Sequence, residues 1–538
     1  MRGDKLFDGS WGYDGALRYS EVRDTAKGTF VSNDRFNRIL NAADPIFDPA
    51  SPEYIGTTAA YNPFGDYRVP IPSNQAGINF ATVHPTDLNV SKLTTADFTL
   101  YTTALFTLPA GGVGFAVGGQ FRRETIQSQP DQLELEGDII GQGTTVLTHA
   151  GRKSFAIYGE ANIPIFSPAN SRVGLYSLGI TASARFEDYR NNDTNILVPK
   201  LGLRWQPWDE TLTIRSTWGE GFREPSLFEL YAAPVRGFQL LTDPITGLTD
   251  ETPVRINTNS KLEPEDSRNF TAGIVYSPRF VPGLTITVDL FDIERHDVVA
   301  PPDPADVLQR EVKGRLLPGE EVFRDTTGEL TQIVVPYENN GGETARGLDF
   351  GLVYQLQTSF GAFTSQTDAT WLDSFRLSVA RGAPALEVIR QGVVGSSQDG
   401  YLKWKGRSRL DWSWHGFDLN TTVTYTDGFH EFLPFSGREH WVQQTWFFDA
   451  QASYDFNFVA PVEARAVAGY SKGNRAPVQQ LPALSLCKRF LSNTTITIGC
   501  NDLFGQDPPK AYNSNAGFAE FIYDSTGRFL YVSLKKQF

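Results

Sequence analysis

The sequence predicts an all-β fold, a transmembrane antiparallel barrel of roughly 18 strands. Three observations predict it. Apolar residues recur with period two over stretches of about ten residues, the length a tilted strand needs to cross a bilayer. No run of about 18 apolar residues occurs, so no transmembrane helix is expected. Connections alternate between short and long along the chain, as in a barrel with tight turns at one end and long loops at the other. The mean hydropathy of −0.29 fits this fold, because lipid-facing residues alternate with polar lumen residues and the average cancels.

The elements follow in order. A first strand is expected over 11–23, then a long polar stretch to about 94. A strand over 95–108 turns through Pro109-Ala110-Gly111-Gly112 into 113–124, and a long connection reaches Arg152. Further tight links are expected at 206–210, 279–283, 357–360, 416 and 491–493, and further long ones at 223–268, 297–342, 376–400 and 504–527. The alternation is regular. Leu284, Ile286, Val288 and Leu290 oppose Thr285, Thr287 and Asp289. Leu212 and Ile214 begin a strand that continues to Trp218. Leu410, Trp412 and Trp414 oppose Arg407, Arg409 and Asp411. Leu419, Val423 and Tyr425 oppose Asn420, Thr422 and Thr424. Trp446, Phe448, Ala450 and Tyr454 oppose Asp449, Gln451 and Ser453. Leu530, Val532 and Leu534 oppose Tyr531, Ser533 and Lys535. Trp205, Trp208, Trp218 and Phe222 sit near strand ends, where interfacial aromatic girdles belong.

Little in the sequence points to catalysis. Phosphate-loop, dinucleotide and serine-hydrolase motifs are missing, and His430-Glu431 does not continue into a zinc-protease motif. No catalytic, cofactor or metal residue is assigned, and the ligand-binding residues stay unassigned. His84, His149, His296, His415, His430 and His440 are scattered; only His430 and His440 share a loop, and solvated loop residues are the plainer reading. The formal net charge of −14 argues against nucleic acid as a partner. Acidic clusters (Asp131, Glu134, Glu136 and Asp138; Glu263, Glu265 and Asp266; Glu320 and Glu321) keep loops solvated or attract a cationic ligand. The aromatics Tyr61, Phe64, Phe429, Phe432, Phe435 and Trp441 pack loops together or stack on a ligand. Cys487 and Cys500 are either two small buried residues or a cross-strand disulfide about the 491–493 turn.

Several segments, in order, carry a resemblance. They are Leu108-Pro109-Ala110-Gly111-Gly112-Val113-Gly114-Phe115; Val198-Pro199-Lys200-Leu201-Gly202-Leu203-Arg204-Trp205; and Trp218-Gly219-Glu220-Gly221-Phe222-Arg223-Glu224-Pro225-Ser226-Leu227-Phe228. Then come Leu262-Glu263-Pro264-Glu265, Asn340-Gly341-Gly342-Glu343-Thr344-Ala345-Arg346-Gly347, Asn501-Asp502-Leu503-Phe504 and a terminal Phe538. Together they resemble TonB-dependent outer-membrane receptors, over about 11–538. Lys536 departs from the pattern, lying on the face that should meet lipid near a strand end, where it can snorkel.

The resemblance implies a cell outer membrane location, about 18 strands of a barrel that has about 22, and no enzyme activity. It implies TonB-coupled import of a bulky nutrient, a siderophore, carbohydrate or similar small molecule. It implies contact with the lipid bilayer, with the TonB complex through a plug, and with outer-membrane assembly machinery through Phe538. Plug and TonB box are not visible, Lys5-Leu6 reads as the tail of an inward strand, and no apolar stretch follows Met1 as a secretory signal would. The chain, one domain over 1–538, is therefore expected to be incomplete at its N-terminus. Two other functions stay open: a passive porin, and a soluble all-β enzyme or lectin. The latter lacks the repeat of about forty residues that a propeller needs.

Overall fold

The computed structural model describes residues 1–7, 10–64, 68–190, 194–378, 384–391, 401–432, 438–456, 491–512, 514 and 516–537. Seventeen staves form one antiparallel sheet. They are β1 (Arg2–Leu6), β2 (Trp11–Lys27), β3 (Thr86–Thr102), β4 (Gly114–Gln129), β5 (Thr148–Phe166), β6 (Ser177–Tyr189), β7 (Thr194–Gln206), β8 (Leu212–Arg223) and β9 (Glu265–Tyr276). They continue as β10 (Leu284–Ala300), β11 (Glu338–Thr358), β12 (Gly361–Ser378), β13 (Trp404–Trp414), β14 (Phe417–Thr426), β15 (Thr445–Phe456), β16 (Thr494–Asn501) and β17 (Phe529–Lys536). The two-residue strand Leu386–Glu387 pairs on β12 and completes an 18-stranded sheet. Each stave pairs with its chain neighbours, the order of an up-and-down barrel.

The period-two pattern becomes two faces because the register stays continuous. Ala182, Leu201, Trp218 and Phe270 are cross-strand partners on one face, and Ser183, Lys200, Gly219 and Asn269 lie one residue away on the other. The first face is an apolar belt. Its interior members remain exposed, Leu201 at 51% and Ile274 at 48%, as expected for side chains that meet lipid. Aromatics close the belt at both ends. At the tight-turn end Trp412 stacks with Phe363 and donates to the Phe360 carbonyl at 2.7 Å. At the long-loop end Trp404 stacks with Phe350 and packs at a tilt against Trp371. Eight residues separate Trp404 from Trp412, about 26 Å along the strand, or about 20 Å along the membrane normal at the usual tilt.

Tight turns form where local chemistry allows them. His415 and Gly416, with φ of 48° and 83°, make a two-residue turn between β13 and β14, and two positive φ values match the right-handed strand twist. Gly273 has a different role. It lies between Arg215 and Asp289 in register, and a Cβ there would strike the Asp289 carboxylate. Its bare backbone lets Arg215 reach across β9 to Asp289, with contacts of 2.9 and 2.5 Å.

Some expectations need correction. The strand expected over 95–108 is Thr86–Thr102, and Leu108 instead pairs with Gly111 in a small separate ladder. β2 also runs beyond 23, to Lys27. These extensions lie beyond the belt, where both faces are wet and Asp24, Lys27, Asp87, Asn89 and Lys92 show no apolar period. The strand expected before the 491–493 turn lies outside the described residues. Both edges of β16 are occupied, by β15 and β17, so Cys500 faces Ala450 and Leu530. Cys487 lies outside the described residues, and Cys500 is buried. Lys536, at the end of β17, donates to the Ser492 carbonyl.

Among the described residues no pairing joins β1 to β17. β1 covers only Trp11–Asp14 of β2. Beyond it Leu17 is 84% exposed, and on β17 Val532 is 74% exposed, both well above the interior belt. Among the described residues the sheet therefore has two open edges.

Candidate functional site

The packed cores of this chain lie in the long loops. The connections 224–264 and 301–337 fold together into one unit. Strands Val235–Thr242, Thr249–Asn257, Leu330–Pro336 and Glu321–Arg324 form a four-stranded sheet, joined by a parallel pairing of 254–257 with 333–336. Helix Pro304–Val312 starts on an Asp303 cap and lays Val307 and Leu308 against Leu241, Val254, Ile333 and Val335. Arg324 holds the unit electrostatically, with paired contacts to Asp243 (2.7 and 2.9 Å) and Glu311 (2.7 and 2.9 Å). Hydrogen bonding from Arg324 keeps the Asp243 carboxyl well below the usual carboxylate range. At the base of the unit Glu265 is buried and accepts from Arg223, from Arg295 (2.9 Å) and from the Val299 backbone (2.8 Å).

Two more loop clusters complete the roof. In loop 28–85 Ile39, Ile46, Phe47 and Ala81 make a small core. The hairpin Phe429–Phe432 with Glu439–Val442 packs Phe429 and Val442 on Ala511, Ala519 and Tyr523 of loop 502–528.

Several of the acidic residues singled out in the sequence serve this packing. Asp138 accepts from Ser32 and, at 2.7 Å, from the Asp34 backbone. Asp131 caps the Gln132–Glu136 turn. Burial, then Asp87 and Asp131, raises the Glu134 carboxyl. Glu320 is buried against Arg310. Among the aromatics, Phe429 is a core residue and Tyr61 packs on Phe36. Trp441 meets His430 edge to face and lies under the Arg390 guanidinium, while Phe64 stays exposed. Phe435 and the Phe432 side chain lie outside the described residues. His440 and Glu431 sit 2.7 Å apart on one face of their hairpin, and His430 and Glu439 sit 2.7 Å apart on the other. The two rings therefore do not converge, and no group of three metal-ligating side chains occurs among the described residues.

The lumen face carries polar and charged residues, in pairs such as Arg18 with Asp97 (2.6 Å), Arg152 with Glu124 (2.8 Å) and Arg409 with Asp411 (2.7 Å). Where β13–β17 meet loop 502–528, a cavity of about 540 Å³ opens on that face. Lys405 and Arg407, Phe447 and Asp449, Asp502 and Tyr523 line it. Its residues escaped the sequence analysis, which placed Arg407 and Asp449 on polar strand faces and quoted Asp502 only within a longer segment. The legible signal was two cations two apart on a polar face; the carboxylates opposite come from another stave and a loop.

The model of the TonB dependent receptor-like β-barrel family matches residues 2–469. This chain belongs to that family. The receptor barrel accordingly resides in the cell outer membrane, and its family is one of receptors and transporters rather than enzymes. Among curated proteins none matches. Among solved structures, a mutant of the ferric enterobactin receptor PfeA from Pseudomonas aeruginosa is 15% identical, with 99% of this chain and 60% of that one covered and a TM-score of 0.57. The siderophore receptor PirA from Acinetobacter baumannii is 14% identical, covering 85% and 59%, with a TM-score of 0.53. The outer membrane transporter YddB from Escherichia coli is 10% identical, covering 98% and 60%, with a TM-score of 0.57. At these identities the likeness is one of fold. The receptor barrel spans about 60% of the length of these structures.

Proposed function

We propose that this chain supplies the wall and outer loops of a receptor that imports a bulky nutrient with energy delivered through TonB. The observation that carries this reading is the combination of a lipid-facing belt, a wet lumen and a roof of folded loops over the long-loop end. The belt disfavours a soluble enzyme or lectin, since a water-soluble protein rarely exposes so large an apolar patch. A passive porin is disfavoured by the family match. One structural neighbour is a siderophore receptor by name and another a ferric enterobactin receptor, so a siderophore is one ligand to test for this chain, beside carbohydrates.

On this reading residues 1–538 form one barrel unit that is incomplete at its N-terminal side. The open edges of β1 and β17 support that, because unpaired backbone groups have no water to turn to in the hydrocarbon layer. Further strands would bridge them, and a plug in the lumen would contact TonB. The terminal Phe538, outside the described residues, would engage the assembly machinery.

Deleting the gene in cells with and without TonB tests the coupling. With TonB present, growth should fall on one limiting nutrient class; without TonB, deletion should add no further defect. An equal defect in both backgrounds would favour a passive pore.

A further inference from the structure

We infer that the lipid-facing surface of β4, β5 and β6, at the long-loop end, holds the phosphate group of an outer-leaflet lipid. The inference rests on the membrane location of the barrel and not on what the receptor imports. Strand parity places the residues. Ala182 of the belt pairs with Ala161, so the belt face of β5 also carries Ile157, Phe155 and Lys153. Phe155 faces Phe121 of β4, with ring centroids 5.2 Å apart. Two residues further toward the long loops, Lys153 faces Arg123 on the same surface. Just past β6 the Arg190 N–H donates to the Lys153 carbonyl at 3.1 Å, which extends the row to a third stave. The Arg190 guanidinium lies 5.6 Å from the centre of the Phe155 ring, so it shares that surface. Three cations thus form one cross-strand row directly above the apolar belt.

Like charges directly opposite each other destabilise a sheet. The Arg123–Lys153 pair therefore calls for an anion, and the chain supplies few. Arg122 and Arg152, on the lumen face, take up Glu124; Arg123 has no carboxylate partner among the described residues. Arg190 meets Asp188 at 2.9 Å. On β2 and β3 Arg23 and Lys92 add cations to the same surface, and both lean on Glu21, at 2.6 and 3.7 Å. Glu21 and Asp188 are the carboxylates that β2–β6 carry on this face among the described residues. Elsewhere on the rim the balance reverses. On the same face of β8, β9 and β10, Glu220, Asp266, Asp292 and Glu294 surround Arg268. A general attraction to headgroups would ring the barrel, whereas this patch occupies one sector.

The neighbouring rows choose the partner. Staves lie about 4.8 Å apart, so a phosphate seated between Arg123 and Lys153 is within reach of both side chains. Arg presents a fork of N–H donors and Lys a mobile ammonium, and both groups recognise phosphate. Phe121 and Phe155 lie about 7 Å below along the staves, where acyl chains would cover them. A phosphate ester with apolar chains satisfies both rows; a free phosphate ion satisfies one.

The test uses the full chain in an uncharged detergent, with bound lipid counted by native mass spectrometry. Dioleoyl phosphatidic acid is the probe. Dioleoylglycerol has the same chains without the phosphate, and inorganic phosphate has the group without the chains. Phosphatidic acid should be retained at least about tenfold more strongly than dioleoylglycerol, and an equal concentration of inorganic phosphate should not displace it. Arg123→Gln, Lys153→Gln and Arg190→Gln together should bring the two lipids to equal retention. Arg268→Gln, Arg346→Gln and Arg376→Gln together remove three cations from the same face of β9, β11 and β12 and should leave the preference intact. Equal retention of the two lipids by the unaltered chain overturns the proposal whatever the variants do. An equal loss in both triple variants overturns it too, since any cation on the rim would then serve. Displacement by inorganic phosphate would leave an ion site and no lipid site.

Discussion

Replacing Leu201 with lysine is expected to destabilise the barrel by about 2–4 kcal/mol, the cost of a cation on the lipid face near the bilayer midplane. Leu201 lies mid-belt on β7, beside Ala182 and Trp218, and is 51% exposed. The next residue toward the N-terminus, Lys200, already carries that charge on the lumen face. The contrast is therefore one of environment and not of strand propensity. Thr181→Lys, on the lumen face of β6, should change stability by no more than about 0.5 kcal/mol. Urea midpoints of the vesicle-embedded chain measure both. Equal shifts for the two variants would mean that the faces do not differ in solvent.

Leu308→Ala should cost the roof about 2–5 kcal/mol, the usual range for truncating a fully buried leucine. Leu308 has no exposed surface and sits between two loops that share one core. Its loss should loosen both connections, 224–264 and 301–337, while the staves remain paired. Limited proteolysis reads this directly: new cleavage is expected in both loops, with the barrel fragment intact. Cleavage confined to 301–337 would show that the loops fold separately.

The barrel was legible because its physics is local. A strand with oil on one side and water on the other must alternate, and Leu284–Leu290 or Leu419–Tyr425 shows this with no knowledge of partners. Where both faces are wet the signal vanishes, so the outer part of β3, from Asp87 to Lys92, read as loop. The roof was hidden for another reason. Its sheet joins Val254–Asn257 to Ile333–Pro336 in parallel, a pairing between distant segments that only tertiary structure provides. The run Ile333-Val334-Val335 was a visible hint of a buried strand, yet it lay within a stretch assigned as connection. The Arg215–Gly273–Asp289 arrangement follows from cross-strand register, which alternation fixes in parity but not in partner.

The alternation of solvent along a single stave is the most direct measure of the central claim. Nitroxide labels placed singly at Leu419, Asn420, Thr421, Thr422 and Val423 of β14, in a background with Cys487→Ser and Cys500→Ser, report it in lipid vesicles. Collisions with oxygen should dominate at 419, 421 and 423, and collisions with a water-soluble nickel chelate at 420 and 422. Uniform accessibility along the five positions, or an intact chain that stays monodisperse in buffer free of surfactant and lipid, would contradict a membrane barrel.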